Sequence, residues 1–166
     1  MKIFLIGPMG SGKSKIGRIL SEKLSISLFD IDKEIEKDLN MSITEIFASK
    51  GEIFFRNTET DYLIKTKGLR DCIVSTGGGV VEEIKNLEFL RKEANVVFLN
   101  CSVESQYENT KNSAKRPLLL TNDPKLTLQT LYEKRFDSYK KVSKLELLSD
   151  SMSNDCLLYT SPSPRD

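Results

Sequence analysis

The stretch Gly7-Pro8-Met9-Gly10-Ser11-Gly12-Lys13-Ser14 decides the fold. It meets the pattern G-x4-G-K-[ST] and stands between an apolar run, residues 2–7, and a segment of helical period, residues 13–24. A phosphate-binding loop needs that strand-loop-helix setting. Its glycines let successive backbone N–H groups converge on phosphate oxygens, and the helix that follows turns its positive end toward them. Gly10, Ser11, Gly12, Lys13 and Ser14 are therefore the expected nucleotide contacts, with Lys13 reaching the β/γ oxygens and Ser14 ligating Mg²⁺. A ligand-free glycine turn is the alternative, and it leaves Lys-Ser in register unexplained.

Outward from the loop the same rhythm repeats. Apolar runs at 27–30, 72–76 and 95–100 alternate with helical segments at 32–39, about 84–93 and about 103–109, and Leu145 to Leu148 reads as a fifth strand. Runs such as Ile3-Phe4-Leu5-Ile6 and Val96-Val97-Phe98-Leu99 lack polar alternation, as strands buried on both faces should. The expectation is a P-loop α/β domain spanning 1–153, three layers α/β/α around a central parallel five-stranded sheet, with ligands at the carboxyl ends of the strands. Two helices lie between the second and third strands, one from the capping box Ser42-Ile43-Thr44-Glu45 to near Gly51 and one from about Glu52 to Lys67. They make the region of about 32–67 larger than a crossover needs. Thr110 to Pro124 is a polar loop of lid length, followed by a helix over about 125–139. The closing CLLYTSPSPRD, Cys156 to Asp166, has no pattern of a packed helix, so 154–166 is expected to be a disordered or non-native tail.

Lysine and arginine total 25 against 24 acids, a net charge of +1, so any anion site must be built locally and neither nucleic acid nor membrane is an expected partner. Cys72, Cys101 and Cys156 have no paired spacing, which fits reduced thiols in the cytoplasm. Met1-Lys2 leads directly into a strand, so no signal peptide is expected. There is no histidine, and proton transfer falls to carboxylates, lysines or tyrosines.

Many P-loop proteins hold Mg²⁺ through an acid that closes a strand. Strand three ends Ser75-Thr76-Gly77 and strand four Leu99-Asn100, so the acid must come from strand two, which ends Phe29-Asp30-Ile31-Asp32. Asp30 is assigned to the outer shell of the metal and Asp32 to an acceptor hydroxyl. Helix capping is the alternative for Asp32.

Taken with the loop, FDIDKEIE (29–36), GEIFFR (51–56), STGGG (75–79), KRPLL (115–119) and KR (134–135) follow one another as they do in shikimate kinases, and the chain resembles that family from residue 7 to 135. The resemblance implies a fold related to nucleoside monophosphate kinases and transfer of the γ-phosphate of ATP, with Mg²⁺, to the 3-hydroxyl of shikimate on the route to chorismate and the aromatic amino acids. It implies that Arg56 and Arg135 bind the substrate carboxylate, for which guanidinium forks are suited. Asp32 would orient the reacting hydroxyl and accept its proton, Gly77, Gly78 and Gly79 would bring backbone amides to the substrate, and Arg116 would swing onto the phosphates. An ordinary turn is the alternative for the glycines and a solvated charge for Arg116. Where the family carries an Arg-Thr pair whose arginine stacks on adenine, this chain has Asn109-Thr110. Partners are expected to be the small molecules alone, with the chain a monomer. Two rivals share the loop: another small-molecule kinase, for gluconate or a nucleoside monophosphate, and a truncated, catalytically weak nucleotide-binding protein.

Overall fold

The computed structural model describes residues 1–150; the expected tail at 154–166 lies outside the described residues. Five strands, β1 (Lys2–Ile6), β2 (Ser27–Asp30), β3 (Cys72–Ser75), β4 (Val96–Asn100) and β5 (Leu145–Leu148), form one all-parallel sheet in the order β2-β3-β1-β4-β5. The helices are α1 (Lys13–Leu24), α2 (Ile31–Leu39), α3 (Ile43–Lys65), α4 (Ile84–Lys92), α5 (Val103–Thr110) and α6 (Pro124–Val142). This is the three-layer fold the alternating pattern predicts.

The inner strands β3, β1 and β4 are buried on both faces because each feeds two cores. Phe4, Ile6, Val74, Val96 and Phe98 point to one side, where they meet Ile31, Ile35, Leu63, Leu90 and Tyr139 from the helices. Ile3, Leu5, Ile73, Val97 and Leu99 point to the other, against Ile16 and Leu20 of α1. After β1 the chain crosses to the β2-β3 side, and after β3 it crosses back to β4 and β5. The switch falls at β1, where the phosphate loop emerges, and such a point opens a crevice at the carboxyl ends of the strands. Register does the rest: Ser75 pairs with both Leu5 and Asp30, which sets the end of β2 level with the start of the loop.

The insertion comprises α2 and α3, and α3 is two helical segments that meet at a bend. Ser42 and Glu45 cap α3 reciprocally, as the capping box predicts, and at Gly51 the backbone turns to φ 84° and ψ 167° before the helix resumes. A positive φ of that size is strained for any residue with a side chain, so glycine marks the bend where the two predicted helices meet. The 110–124 segment carries a 3₁₀ turn at Pro117–Leu119 and ends at Asp123, whose side chain caps α6 ahead of Pro124.

Candidate active site

A cleft of about 660 Å³ opens over the loop, lined by Gly10 to Ile16, Asp30, Asp32, Gly77, Gly78, Asn109 and Arg116 among others. Gly7, Gly10 and Gly12 all take positive φ. A Cβ at Gly7 would stand 2.4 Å from the Leu99 carbonyl oxygen and one at Gly10 2.8 Å from that of Gln106, so the loop lies too close to the end of β4 and to α5 for side chains there. Lys13 is buried. Its Nζ donates to the carbonyls of Gly7 and Pro8, both at 2.8 Å, and to Ser11 Oγ at 3.4 Å. Burial, and next the nearby Arg116, bring its pKa down to about 8.

Ser14 Oγ donates to Asp30 Oδ2 at 2.7 Å, which joins the two residues expected at the metal. The other oxygen of Asp30 accepts from the Lys33 amide at 3.3 Å and caps α2. Capping, the alternative for Asp32, thus belongs to Asp30, because α2 starts at Ile31 and Asp32 stands inside its first turn. Asp32 is left free to point into the crevice. Its Oδ1 is shielded from solvent and has no hydrogen-bond partner among the described residues, and burial, with the Asp30 charge next, raises its pKa.

Beyond Asp32 the cleft continues into a smaller hollow of about 60 Å³, lined by Phe47, Phe55, Arg56, Glu59, Arg135 and Gly77 to Gly79 among others. Arg56 Nη1 donates to Glu59 Oε2 at 2.8 Å and Nη2 to Glu52 Oε1 at 3.3 Å, while Arg135 Nε donates to Glu82 Oε1 at 2.7 Å. Arg56 Nε, Arg135 Nη2 and Glu59 Oε1 are buried without partners among the described residues. The glycine triplet makes room for these side chains. A Cβ at Gly79 would fall 2.3 to 2.5 Å from the Arg56 guanidinium and one at Gly77 2.3 Å from Glu59 Oε1, so an ordinary turn does not account for them.

All the residues expected from the sequence therefore line one continuous space. Arg116 borders both parts from the 110–124 segment, as do Asp32, Gly77 and Gly78. Two members were not foreseen. Glu59 is fully buried, and burial pushes its pKa up to about 7 against the opposing charge of Arg56. Its signal was available: it shares the core-facing stripe of α3 with Phe55, Tyr62 and Leu63, where an acid needs a partner, and Arg56 sits three residues before it. Glu82, just past the glycines, is the other.

A glycine-rich loop with a buried lysine, a serine-carboxylate pair at its mouth and a second carboxylate facing paired arginines defines a P-loop kinase for a small anionic acceptor. The family model described as shikimate kinase matches residues 9–159. The shikimate kinase of Marinomonas sp. (strain MWYL1) is 42% identical over 151 residues, 90% of this chain and 83% of that protein, and that of Methylococcus capsulatus is 38% identical over 85% of this chain and 79% of its own. The structure of shikimate kinase from Acinetobacter baumannii in complex with shikimate superposes with a TM-score of 0.91 at 34% identity, covering 95% of this chain and 88% of that one. The chain belongs to the shikimate kinase family. A deoxyadenosine kinase from M. mycoides, with a TM-score of 0.62 at 17% identity, shares the fold alone.

Proposed function

We propose that the cleft and the hollow are the donor and acceptor halves of a kinase that moves the γ-phosphate of ATP to the 3-hydroxyl of shikimate, giving shikimate 3-phosphate and ADP. One observation carries this: the two halves meet at Asp32, and the acceptor side holds N–H groups on two arginines and a carboxylate oxygen that have no partner among the described residues. Buried donors without partners are costly unless a ligand satisfies them. A ring bearing one carboxylate and several hydroxyls matches that set, and Phe47 and Phe55 offer its carbon face an apolar wall.

In this assignment the loop amides hold the phosphates, and Lys13 leaves the Gly7 and Pro8 carbonyls for the β/γ oxygens. Asp32 Oδ1 accepts the hydrogen bond of the reacting hydroxyl and takes its proton as the new O–P bond forms and the bond to the β–γ bridging oxygen breaks. The raised pKa of Asp32 makes it the better base. Arg116 neutralises charge on the transferring group from the segment 110–124, which acts as the lid, while α2 and α3 act as the acceptor-binding insertion. Thr44 Oγ1 donates to the Ala114 carbonyl at 3.3 Å and ties the two together. Asn109, in place of the family's adenine-stacking arginine, donates from Nδ2 to the Gly10 carbonyl at 2.9 Å and steadies the loop.

Ser14 and Asp30 fit Mg²⁺, a hard ion that binds through one or two protein oxygens and completes its shell with water and phosphate. It would supply charge neutralisation on the phosphates. No cluster of three or more metal-ligating side chains occurs among the described residues, in keeping with an ion shared with the nucleotide. Both halves come from one chain, which suits a monomer, and the free Cys72 and Cys101 suit the cytoplasm. No helix among the described residues is long and apolar enough to cross a membrane.

ADP release measured with a panel of acceptors tests the assignment. Turnover is expected with shikimate and to be nearly lost with an analogue lacking the carboxylate. Turnover on gluconate or a nucleoside monophosphate instead would give the site to another kinase, and ATP binding without turnover on any acceptor would make the chain a nucleotide-binding protein.

A further inference from the structure

We propose that Tyr139 is a positioning residue for the acceptor half: its hydroxyl, donating to the Gly78 carbonyl, fixes the Gly78-Gly79 peptide plane so that the Gly79 N–H faces the hollow. This rests on the acceptor assignment above and concerns a residue with no direct place in the transfer.

Helix α6 carries Arg135 and Tyr139 one turn apart on the same face. Tyr139 is fully buried, and its ring stacks on Phe98 of β4 with centroids 4.9 Å apart and planes at 22°. The ring is thereby fixed, and its hydroxyl donates to Gly78 O. Burial raises the phenol pKa, so the group remains a donor throughout the working range. Phenylalanine would fill the same space, so packing does not explain the hydroxyl.

The geometry of the peptide explains it. No peptide bond among the described residues is cis, and in a trans peptide the carbonyl of one residue and the N–H of the next point in opposite directions. With the Gly78 carbonyl held toward α6, the Gly79 N–H leaves on the side away from Tyr139, and Gly79, packed directly against the Arg56 guanidinium, borders the hollow. That N–H has no acceptor among the described residues. A peptide between two glycines rotates easily, and the turn hydrogen bond from the Val80 N–H to the Gly77 carbonyl at 3.3 Å spans this one but leaves its plane without an anchor. The Tyr139 hydroxyl supplies that anchor.

Calorimetric titration of Tyr139→Phe with shikimate and with ATP, alongside the unsubstituted chain, tests this. Shikimate affinity is expected to fall about 3- to 10-fold, the range of one hydrogen bond, with shikimate KM following and ATP affinity within about twofold. Unchanged shikimate affinity in Tyr139→Phe, or an equal loss for ATP, would overturn the role. Independently of any variant, the Gly79 amide resonance should shift on adding shikimate, and an unmoved resonance would also overturn it. If the unsubstituted chain bound ATP but no shikimate, the acceptor assignment itself would fall, and the Tyr139 proposal with it.

Discussion

The two halves of the site are built on opposite plans. The donor half is nearly continuous in sequence: Gly7 to Ser14 supplies it, with Asp30 joined through one hydrogen bond, and its anion-binding surface is backbone. The acceptor half gathers Asp32, Arg56, Glu59, Gly77 to Gly79 and Arg135 from four parts of the chain, and its working surface is charged side chains. A triphosphate is much the same in every protein that binds it, so a loop of fixed conformation serves. A particular ring acid must be met by particular forks at particular distances, which only the folded core can set. Loss of one donor-half side chain should therefore stop transfer, whereas changes in the acceptor half should alter which molecule is transferred to and how tightly it is held.

Lys13→Ala gives the largest expected effect. Turnover should fall on the order of 10³-fold, the scale of removing one preorganised donor to developing charge, in a chain that still folds because its two apolar cores do not include the lysine. Near-normal turnover in a folded Lys13→Ala chain would dissolve the donor-half assignment.

At the junction, Asp32→Asn keeps the shape and removes the base. A fall of about 10²-fold in kcat is expected, with ATP affinity unchanged, measured by steady-state kinetics and nucleotide titration. If ATP affinity collapsed instead, Asp32 would belong to the donor half and the border between the halves would have to move.

Arg56→Lys should act on one molecule only. The planar fork is lost and the charge kept, so shikimate KM is expected to rise about 10- to 100-fold, as for one or more charge-assisted hydrogen bonds. ATP KM should hold still. An analogue without the carboxylate should show little difference between the two proteins, and equal losses on both acceptors would show that Arg56 does not read the carboxylate.

The same contrast governs what could be read before the fold was known. The loop was legible because its chemistry is local: spacing within eight residues, a strand before and a helix after. The sheet was legible from runs such as Val96 to Leu99, whose lack of alternation permits only a doubly covered strand. Arg56, Arg135 and the glycine triplet carry no such local signal, and family order brought them together. What stayed hidden was mutual: Glu59 matters because Gly77 leaves room for it and Arg56 pairs with it, and Asp30 caps α2 only because the helix begins at Ile31. Helix starts are fixed by backbone geometry to within a residue or two, finer than periodicity resolves.

The response of stability to pH separates the halves by sign. Glu59 has its pKa raised from 4.5 to about 7, chiefly by burial, with Arg56 opposing and Asp32 reinforcing. Between those values the folded chain binds more protons than the unfolded one, so the stability contribution present below pH 4.5 is lost as pH rises through about 7. Lys13, lowered from 10.5 to about 8, behaves oppositely: there the unfolded chain binds more protons, and stability is regained as pH rises from 8 toward 10.5. The melting temperature should thus decline from about pH 5 to 7, while above pH 8 the gain from Lys13 is opposed by Cys101, whose pKa burial pushes up to about 11, and by the buried Tyr139. Glu59→Gln keeps the shape and cannot titrate, so it should make the acid limb shallower by at most about 3 kcal/mol, the rest belonging to Asp32, whose pKa burial also raises, and leave the profile above pH 8 in place. Lys13→Ala should do the reverse. Parallel profiles for Glu59→Gln and the unsubstituted chain would mean that Glu59 is ionised across the range, with Arg56 outweighing its burial, and that the acceptor half carries a standing ion pair in place of a titrating acid.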